Sequence, residues 1–252
     1  MNWSMTPDQF AMAWSRTDGD RIPYPLAVRL SARDTAERAA QLPALTDWCE
    51  RTLDADLEAA LRVLARPDVC VEVFGERAGE DGVTKPVRVL GAASGNVAVV
   101  AAQRPGSERD RGAELTVIAG GATSLPGRVV SMLPGCPAGT GPRLNAPLSR
   151  VIEDSRNLVT MPVAGPTEPT RIRKLLRQRR DGIGQIVVSV RRDEELDPFG
   201  VLCWVDVAED GRYLVRTGNS VDLVAVDAEQ FTGHLRPMVT AAQRRTALAD
   251  QW

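Results

Sequence analysis

Residues 199–216, with the sequence Phe-Gly-Val-Leu-Cys-Trp-Val-Asp-Val-Ala-Glu-Asp-Gly-Arg-Tyr-Leu-Val-Arg, contain two apolar runs separated by a turn signal. The runs from Val201 to Val207 and from Tyr213 to Arg216 have the β-branched and aromatic content of strands. Asp210-Gly211 lies between them and is typical of a tight hairpin, because both residue types tolerate the backbone conformations that such turns need. The segment therefore predicts two antiparallel strands, with Trp204 and Tyr213 on neighbouring strands.

The hairpin belongs to a longer run of strand signals in the second half of the chain. Ile186 to Val190 precedes it, and Val221 to Val226 follows it. Ahead of these strands, a short apolar stripe predicts a helix from about Thr167 to Arg180, with Gly182 as the residue after its end. A closing helix is predicted to open at Asp227, because Gln230 stands at the position that completes a capping box.

The first half has the same order of signals. Leu57, Ala60, Leu61 and Leu64 predict a helix from about Asp54 to Arg66. Four strands are then predicted, at Val69 to Phe74, Val87 to Leu90, Val97 to Ala102 and Leu115 to Ile118. Glycine and proline separate them, which favours an antiparallel meander.

Helices combined with antiparallel meanders argue for an α+β fold rather than a doubly wound parallel sheet. Seven prolines and glycines between Pro134 and Pro147 predict a covering loop or linker. We therefore expect one domain, with an N-terminal half at about 1–133, the linker at about 134–147 and a C-terminal half at about 148–252. A short helix carrying Leu148, Val151 and Ile152 is expected to follow the linker.

The composition narrows the functional class. The chain has 252 residues and a formal net charge of -2, which is not the charge of a dedicated nucleic-acid binder. Its longest purely apolar run, Val97 to Ala102, is far shorter than the ~20 residues that a membrane helix needs. The N-terminus resembles no secretory signal, and the four cysteines form no Cys-x-x-Cys pair. We expect a cytoplasmic protein with reduced cysteines and no cofactor.

Few residues of the sequence suggest catalysis or metal binding. His234 is the only histidine, and no nucleophile motif or metal-ligand spacing accompanies it. The strand acids Glu72, Asp206 and Asp222 could form a catalytic pair only within a deep polar pocket. Acids among so many arginines are more often ion-paired, so we expect no enzyme. The basic segment Arg171 to Arg180 is interpreted as the solvated face of its helix, and the sequence leaves open whether this segment has a partner.

Short motifs along the chain resemble the EspG family, which serves the actinobacterial type VII (ESX) secretion system. They are Arg21-Ile-Pro-Tyr-Pro-Leu26, Leu61-Arg-Val-Leu-Ala-Arg-Pro67, Gly182-Ile-Gly-Gln185, Trp204-Val-Asp206 and Gly211-Arg-Tyr-Leu-Val215. Each is weak alone, but their order and separations across about residues 21–235 are fairly specific. The short loop from Gly75 to Lys85 departs from the family pattern, as does Asp227, where a proline is expected.

The resemblance implies a two-half, quasi-two-fold α+β fold, with a central antiparallel sheet flanked by helical bundles. It also implies a cytosolic chaperone without catalytic residues, which binds PE/PPE-like substrates through the helical tip of the PPE partner and is a monomer or weak homodimer when free. Because the family surface involves the sheet and the C-terminal bundle, the partner-binding candidates are Phe199, Val201, Trp204, Tyr213, Val215, Phe231 and Leu235. Core packing is the alternative role for these side chains. A non-secretory protein-interaction module without catalysis is the alternative function.

Overall fold

The computed structural model describes residues 1–17, 21–79, 81–153, 165–193 and 195–249. Within these residues, ten strands form a single sheet. The strands are β1 (Asn2–Met5), β2 (Val69–Ala78), β3 (Thr84–Ser94), β4 (Val97–Pro105), β5 (Gly112–Gly121), β6 (Leu144–Pro147), β7 (Arg180–Arg192), β8 (Glu195–Val207), β9 (Gly211–Thr217) and β10 (Ser220–Ala225).

The same residues form seven α-helices. They are α1 (Pro7–Ser15), α2 (Thr35–Thr52), α3 (Ala55–Ala65), α4 (Leu125–Ser131), α5 (Leu148–Ile152), α6 (Glu168–Leu176) and α7 (Ala228–Ala249). None of these described helices combines the length and the apolarity that crossing a membrane requires.

The order of strands across the sheet is β1-β5-β4-β3-β2-β7-β8-β9-β10-β6, and each neighbouring pair is antiparallel. Two four-stranded meanders, β2–β5 and β7–β10, therefore lie side by side. They meet at the pair β2–β7, whose register runs from Val69 opposite Val190 to Arg77 opposite Gly182. Because this pair joins strands that are distant in sequence, it unites the two halves in one sheet.

The predicted order of one helix and four strands is confirmed in both halves, and each predicted strand is present. The structure adds elements that the sequence patterns did not indicate: β1, α1, α2 and α4 in the first half, and β6 in the second. With these elements, each half consists of an edge strand, helices, a meander and a closing helix. The predicted short helix at Leu148 is confirmed as α5, and the mixed helix and antiparallel-sheet composition agrees with the predicted α+β class.

Three local predictions were wrong. Gly182 lies inside β7 and is not a helix stop, because α6 ends at Leu176 and pairing with β8 begins at Arg180. The stretch from Gly75 to Lys85, expected to be a loop, is mostly paired strand, with Ala78 opposite Thr84. The end of the predicted linker, Leu144–Pro147, is the edge strand β6, which pairs with β10.

Local capping positions the helices that cover the sheet. The Asp54 carboxylate accepts a hydrogen bond from the Leu57 amide at 2.8 Å, which satisfies a free donor at the start of α3. At α7, the backbone N–H of Gln230 donates to the Asp227 carboxylate at 2.8 Å, and the backbone N–H of Asp227 donates to the side-chain oxygen of Gln230 at 3.0 Å. The predicted capping box is therefore confirmed, and α7 continues through Pro237.

The sheet buries side chains on both faces. On one face, called the α4–α7 face, the alternate residues Val71, Val73, Ile186 and Val188 join one core cluster with residues of α4 and α7. On the opposite face, called the α3–α6 face, α1 and α3 share a core with β3–β5. At the other end of that face, α6 packs over β6 and β8–β10.

The side chain of Trp204 packs across the centre of the sheet on the α4–α7 face. Its strand neighbour is Gly184, which in turn pairs with Gly75 of β2. A Cβ atom added to Gly184 would lie 2.2 Å from the indole Cη2, and one added to Gly75 would lie 2.8 Å from Cζ2. The indole can therefore lie flat across β7 and β2 only because both positions are glycine.

Replacing Gly184 by Ala is expected to lower the free energy of unfolding by about 1–3 kcal/mol, because the buried indole must move to admit the methyl group. Urea unfolding measures this change. Gly121→Ala is the matched control, since a Cβ atom at Gly121 meets no atom within 4 Å. Equal stability of the two variants would show that Trp204 does not require the glycine.

Candidate functional site

Four of the seven partner-binding candidates lie in the core. Trp204, Tyr213, Phe231 and Leu235 are each at most 1% exposed. Trp204 and Phe231 pack together with their ring centroids 6.4 Å apart. In this structure none of the four offers surface to a partner. Trp204, Phe231 and Leu235 are buried in the core with α7, and Tyr213 is buried beneath α6, so the alternative role in core packing describes them better.

Phe199 lies on the α4–α7 face, half-buried against the core there. The Arg245 guanidinium carbon of α7 lies over its ring, 6.0 Å from the centroid. Val201 and Val215 are the two remaining candidates, and both lie on the opposite face. The seven predicted residues thus do not form one surface site. Of the seven, Val201 and Val215 lie on the same partly exposed face, as diagonal neighbours on β8 and β9.

Val201 and Val215 belong to a larger apolar surface on the α3–α6 face, here called the central strip. The register places Val187 opposite Val201, Gln185 opposite Cys203, and Cys203 opposite Val215. The central strip consists of Phe74, Ile183, Val187, Val201, Cys203 and Val215, with the exposed polar side chain of Gln185 among them. Val201 is 47% exposed and Ile183 is 42% exposed, which is high for large apolar side chains in the middle of a sheet.

The central strip lies between two groups of helices. On one side, α3 packs on β3 and β4, and the Tyr24 ring approaches the Phe74 ring with centroids 5.8 Å apart. On the other side, Leu175 and Leu176 of α6 pack over Val205 and Tyr213. The helices of each half cover that half's own outer strands. Near the seam, the β2–β7 pair at which the two halves meet, apolar side chains therefore stay exposed within the described part of the chain.

A cavity of about 480 Å³ opens at one end of the central strip. Its floor contains Phe74, Cys203 and Val215, and Leu176 of α6 forms part of its wall. Most of the lining is apolar. Such a concave apolar surface suits a protruding apolar side chain of a partner better than a polar substrate.

Charged residues stand at the margins of the central strip. Glu72 lies directly beside Val187 and accepts no hydrogen bond from a described residue. Burial raises the pKa of the Glu72 carboxyl above its ordinary value. At the cavity end, Glu76 pairs with Arg109, and Arg180 also lines the cavity. A bulge between Arg180 and Gly182 directs the Arg180 side chain to this face.

The other strand acids are ion-paired. Arg212 donates to Asp206 through Nε at 2.7 Å and through Nη2 at 2.8 Å, and both side chains are buried. Arg143 donates bidentate hydrogen bonds to Asp222 in the same way, and this hydrogen bonding is the main reason that the pKa of the Asp222 carboxyl is lowered. Neither acid lines the cavity of the central strip. These geometries correspond to structural ion pairs.

His234 and the cysteines, the remaining candidates for a nucleophile or a metal ligand, also fit structural roles. His234 Nδ1 lies 2.7 Å from Arg216 Nη2, and burial lowers the pKa of its imidazole. Burial raises the pKa of the Cys70 thiol to about 12 and that of Cys136 to about 11, so both thiols stay protonated near neutral pH. Among the described residues, no cluster of three potential metal ligands occurs.

The sequence model of the EspG family matches residues 6–248, nearly the whole chain. The chain belongs to the EspG family. It is therefore a type VII secretion-associated protein, of a family that is not known as enzymatic. No curated protein matches the chain.

The motifs that carried the EspG resemblance have structural roles here. Gly184 admits the indole of Trp204, and a Cβ atom at Gly182 would lie 2.6 Å from an Asp206 carboxylate oxygen. Arg212 also holds the loop before β6, since its Nη2 donates to the Pro134 carbonyl at 2.9 Å. The motif residues thus fix the sheet beneath the central strip, while Phe74, Ile183, Val187 and Cys203 were missed as surface residues.

Glu72→Gln is expected to raise the free energy of unfolding at about pH 7, because the amide brings no charge into the apolar strip. A raised pKa in the folded state means that the native protein binds the proton more tightly than the unfolded chain. Ionisation of Glu72 therefore lowers stability fully above the folded pKa and not at all below the unfolded one. The advantage of E72Q should shrink as the pH falls toward about 4.

Urea unfolding of both proteins across this pH range measures the effect. Glu58→Gln, at an exposed pair with Arg62 on α3, is the control and should change stability by only about 0.3–0.5 kcal/mol. An E72Q variant less stable than the native sequence near neutral pH would contradict the assignment of Glu72 as a desolvated, unpaired acid.

Proposed function

We propose that this chain is a cytoplasmic chaperone of type VII secretion, which binds PE/PPE-like substrates through the helical tip of the PPE partner and keeps them soluble for export. The single observation that carries the proposal is the central strip of an EspG-family chain, an apolar sheet surface whose Val201 and Ile183 are 47% and 42% exposed. Exposed apolar surface of this kind is typical of protein interaction sites.

The shape of the surface supports a helical client. The central strip spans β2, β7, β8 and β9, with adjacent strands about 4.8 Å apart, so it is about 14 Å wide. An α-helix with its side chains is about 10–12 Å across, which fits between α3 and α6. The cavity of about 480 Å³ provides a place for a large apolar side chain at the end of the client.

The repeated element order supports the finer description of the fold. Each meander has an edge strand that comes earlier in its half, and the two meanders meet at an antiparallel pair. We infer a quasi-two-fold relation between the halves, with α1–α3 on one side and α5–α6 on the other as flanking bundles. A pseudo-two-fold axis would then pass near the seam that bears the central strip.

The protein is proposed to act without a catalytic step. A client with an apolar helical tip would aggregate if that tip stayed exposed, and the central strip would cover it in a one-to-one complex. Phe199, Trp204, Tyr213, Phe231 and Leu235 then support the surface from within the fold, whereas Val201 and Val215 contact the client.

Val201→Glu is expected to weaken binding of a PE–PPE-like pair from the same genome at least about tenfold, which corresponds to about 1.4 kcal/mol. The added carboxylate would be buried against apolar client residues without a partner. Co-expression followed by size-exclusion chromatography tests complex formation, and titration of the purified pair measures the affinity.

Val97→Glu is the matched control, because Val97 is also a strand valine, 44% exposed, and lies on β4 outside the central strip. It should bind as the native chain does. If the native chain binds none of the PE–PPE-like pairs of its genome, the secretion role fails and a non-secretory interaction module becomes the better description. Equal loss for both valine variants would place the contact elsewhere.

A further inference from the structure

Glu72 is an acid in an unusual place. It stands on β2, between Leu90 on β3 and Val187 on β7, and Leu90 is buried. The other strand acids discussed above have arginine partners, but Glu72 accepts no hydrogen bond from a described residue. A half-buried carboxylate without a partner costs stability, so the folded chain alone gains nothing from this charge.

Arg180 has the opposite charge at the other end of the same surface. Between Val187, the neighbour of Glu72, and Arg180 lie seven residue steps of β7. At about 3.3 Å per residue, the two charges are roughly 23 Å apart along the strand. Glu76, which lies between them on β2, is neutralised by Arg109. Along its middle the central strip is apolar except for Gln185, which is exposed and lies between Phe74 and Cys203. It has an acid at one end and a base at the other.

This charge separation matches a two-helix tip. Two packed helices have axes about 8–10 Å apart and are each about 10–12 Å across, so together they are roughly 20 Å wide. One helix end would lie over Val187 and Val201 beside Glu72, and the other over the cavity beside Arg180. Because the two ends of the central strip differ in charge, only one of the two orientations of such a tip is complementary.

We propose that Glu72 and Arg180 determine the specificity and orientation of the client. Glu72 accepts a hydrogen bond from a cationic or amide donor on one helix of the tip, and Arg180 binds a carboxylate on the other. This inference rests on the proposed function and adds the chemistry that selects among clients. A client tip that is apolar but has both charges reversed would be rejected, since each end would bring like charges together.

A structural role for Glu72 would give the opposite sign in a stability measurement. If Glu72 held the fold together, its loss would lower both stability and client binding. If Glu72 instead accepts a hydrogen bond from the client, Glu72→Gln leaves the free chain at least as stable and weakens only the complex. The pair of readouts therefore separates binding from folding in the same variant.

The experiment uses the full chain and a purified PE–PPE-like pair that the native chain binds. Glu72→Gln and Arg180→Gln are each expected to weaken binding about tenfold, because each variant removes the charge from one charge-assisted hydrogen bond while a polar side chain stays in place. Glu58→Gln and Arg62→Gln remove the exposed pair on α3 and serve as charge-matched controls, with unchanged affinity expected. Thermal unfolding of each free variant completes the set.

A charge reversal tests the orientation directly. Arg180→Glu should weaken binding further, and a scan that changes each acidic residue of the client tip to lysine should restore binding at one position only. If Val201→Glu weakens binding while the Glu72 and Arg180 variants bind as the native chain does, the specificity inference is overturned and the proposed function stands. If the native chain binds no pair, both are overturned.

Discussion

The antiparallel pairing of β2 with β7 is the constraint on which the structure depends. Nine residue pairs, from Val69–Val190 to Arg77–Gly182, join two meanders that would otherwise be separate sheets. The indole of Trp204 reinforces this seam, because it crosses β7 above Gly184 and reaches Gly75 of β2. On the α4–α7 face, both closing helices share one core over the seam. On the other face, each half covers its own outer strands, and the central strip follows from that arrangement.

The seam therefore has two sides with different tasks. One side holds Trp204 and Phe231, two of the largest fully buried side chains of the described residues, and makes the sheet rigid there. The other side keeps Val201 and Ile183 in contact with solvent and places Glu72 where its charge is poorly solvated. The unpaired, half-buried acid costs stability in the free chain. Under the proposed function, a client that covers this side offsets that cost, as in many binding sites where stability is given up for function. A rigid sheet also limits the ordering cost of association.

Much of the fold could be predicted from local patterns. Local signals such as the capping box at Asp227, the hairpin at Asp210-Gly211 and the apolar periodicity predicted eight strands and the helices α3, α5, α6 and α7, all present in the structure. The helix α2 was missed because it buries only Cys49 and contains Pro43, so it has little apolar periodicity. The site was harder. Val201 and Trp204 lie three residues apart on β8 and face opposite sides, and only the topology decides which side the helices cover. The signal for Ile183 and Val187 was present, since β7 has apolar residues on both faces.

The central claim is that a client lies on the exposed face of the β2–β7 seam. Replacing Val201 by a photo-reactive benzoylphenylalanine in the full chain, and irradiating the complex with a PE–PPE-like pair, tests it most directly. Mass spectrometry should then find a covalent adduct between position 201 and the tip of the PPE partner, and none from the same group at position 97. A complex that forms but gives adducts only from position 97, or from neither position, would contradict the account.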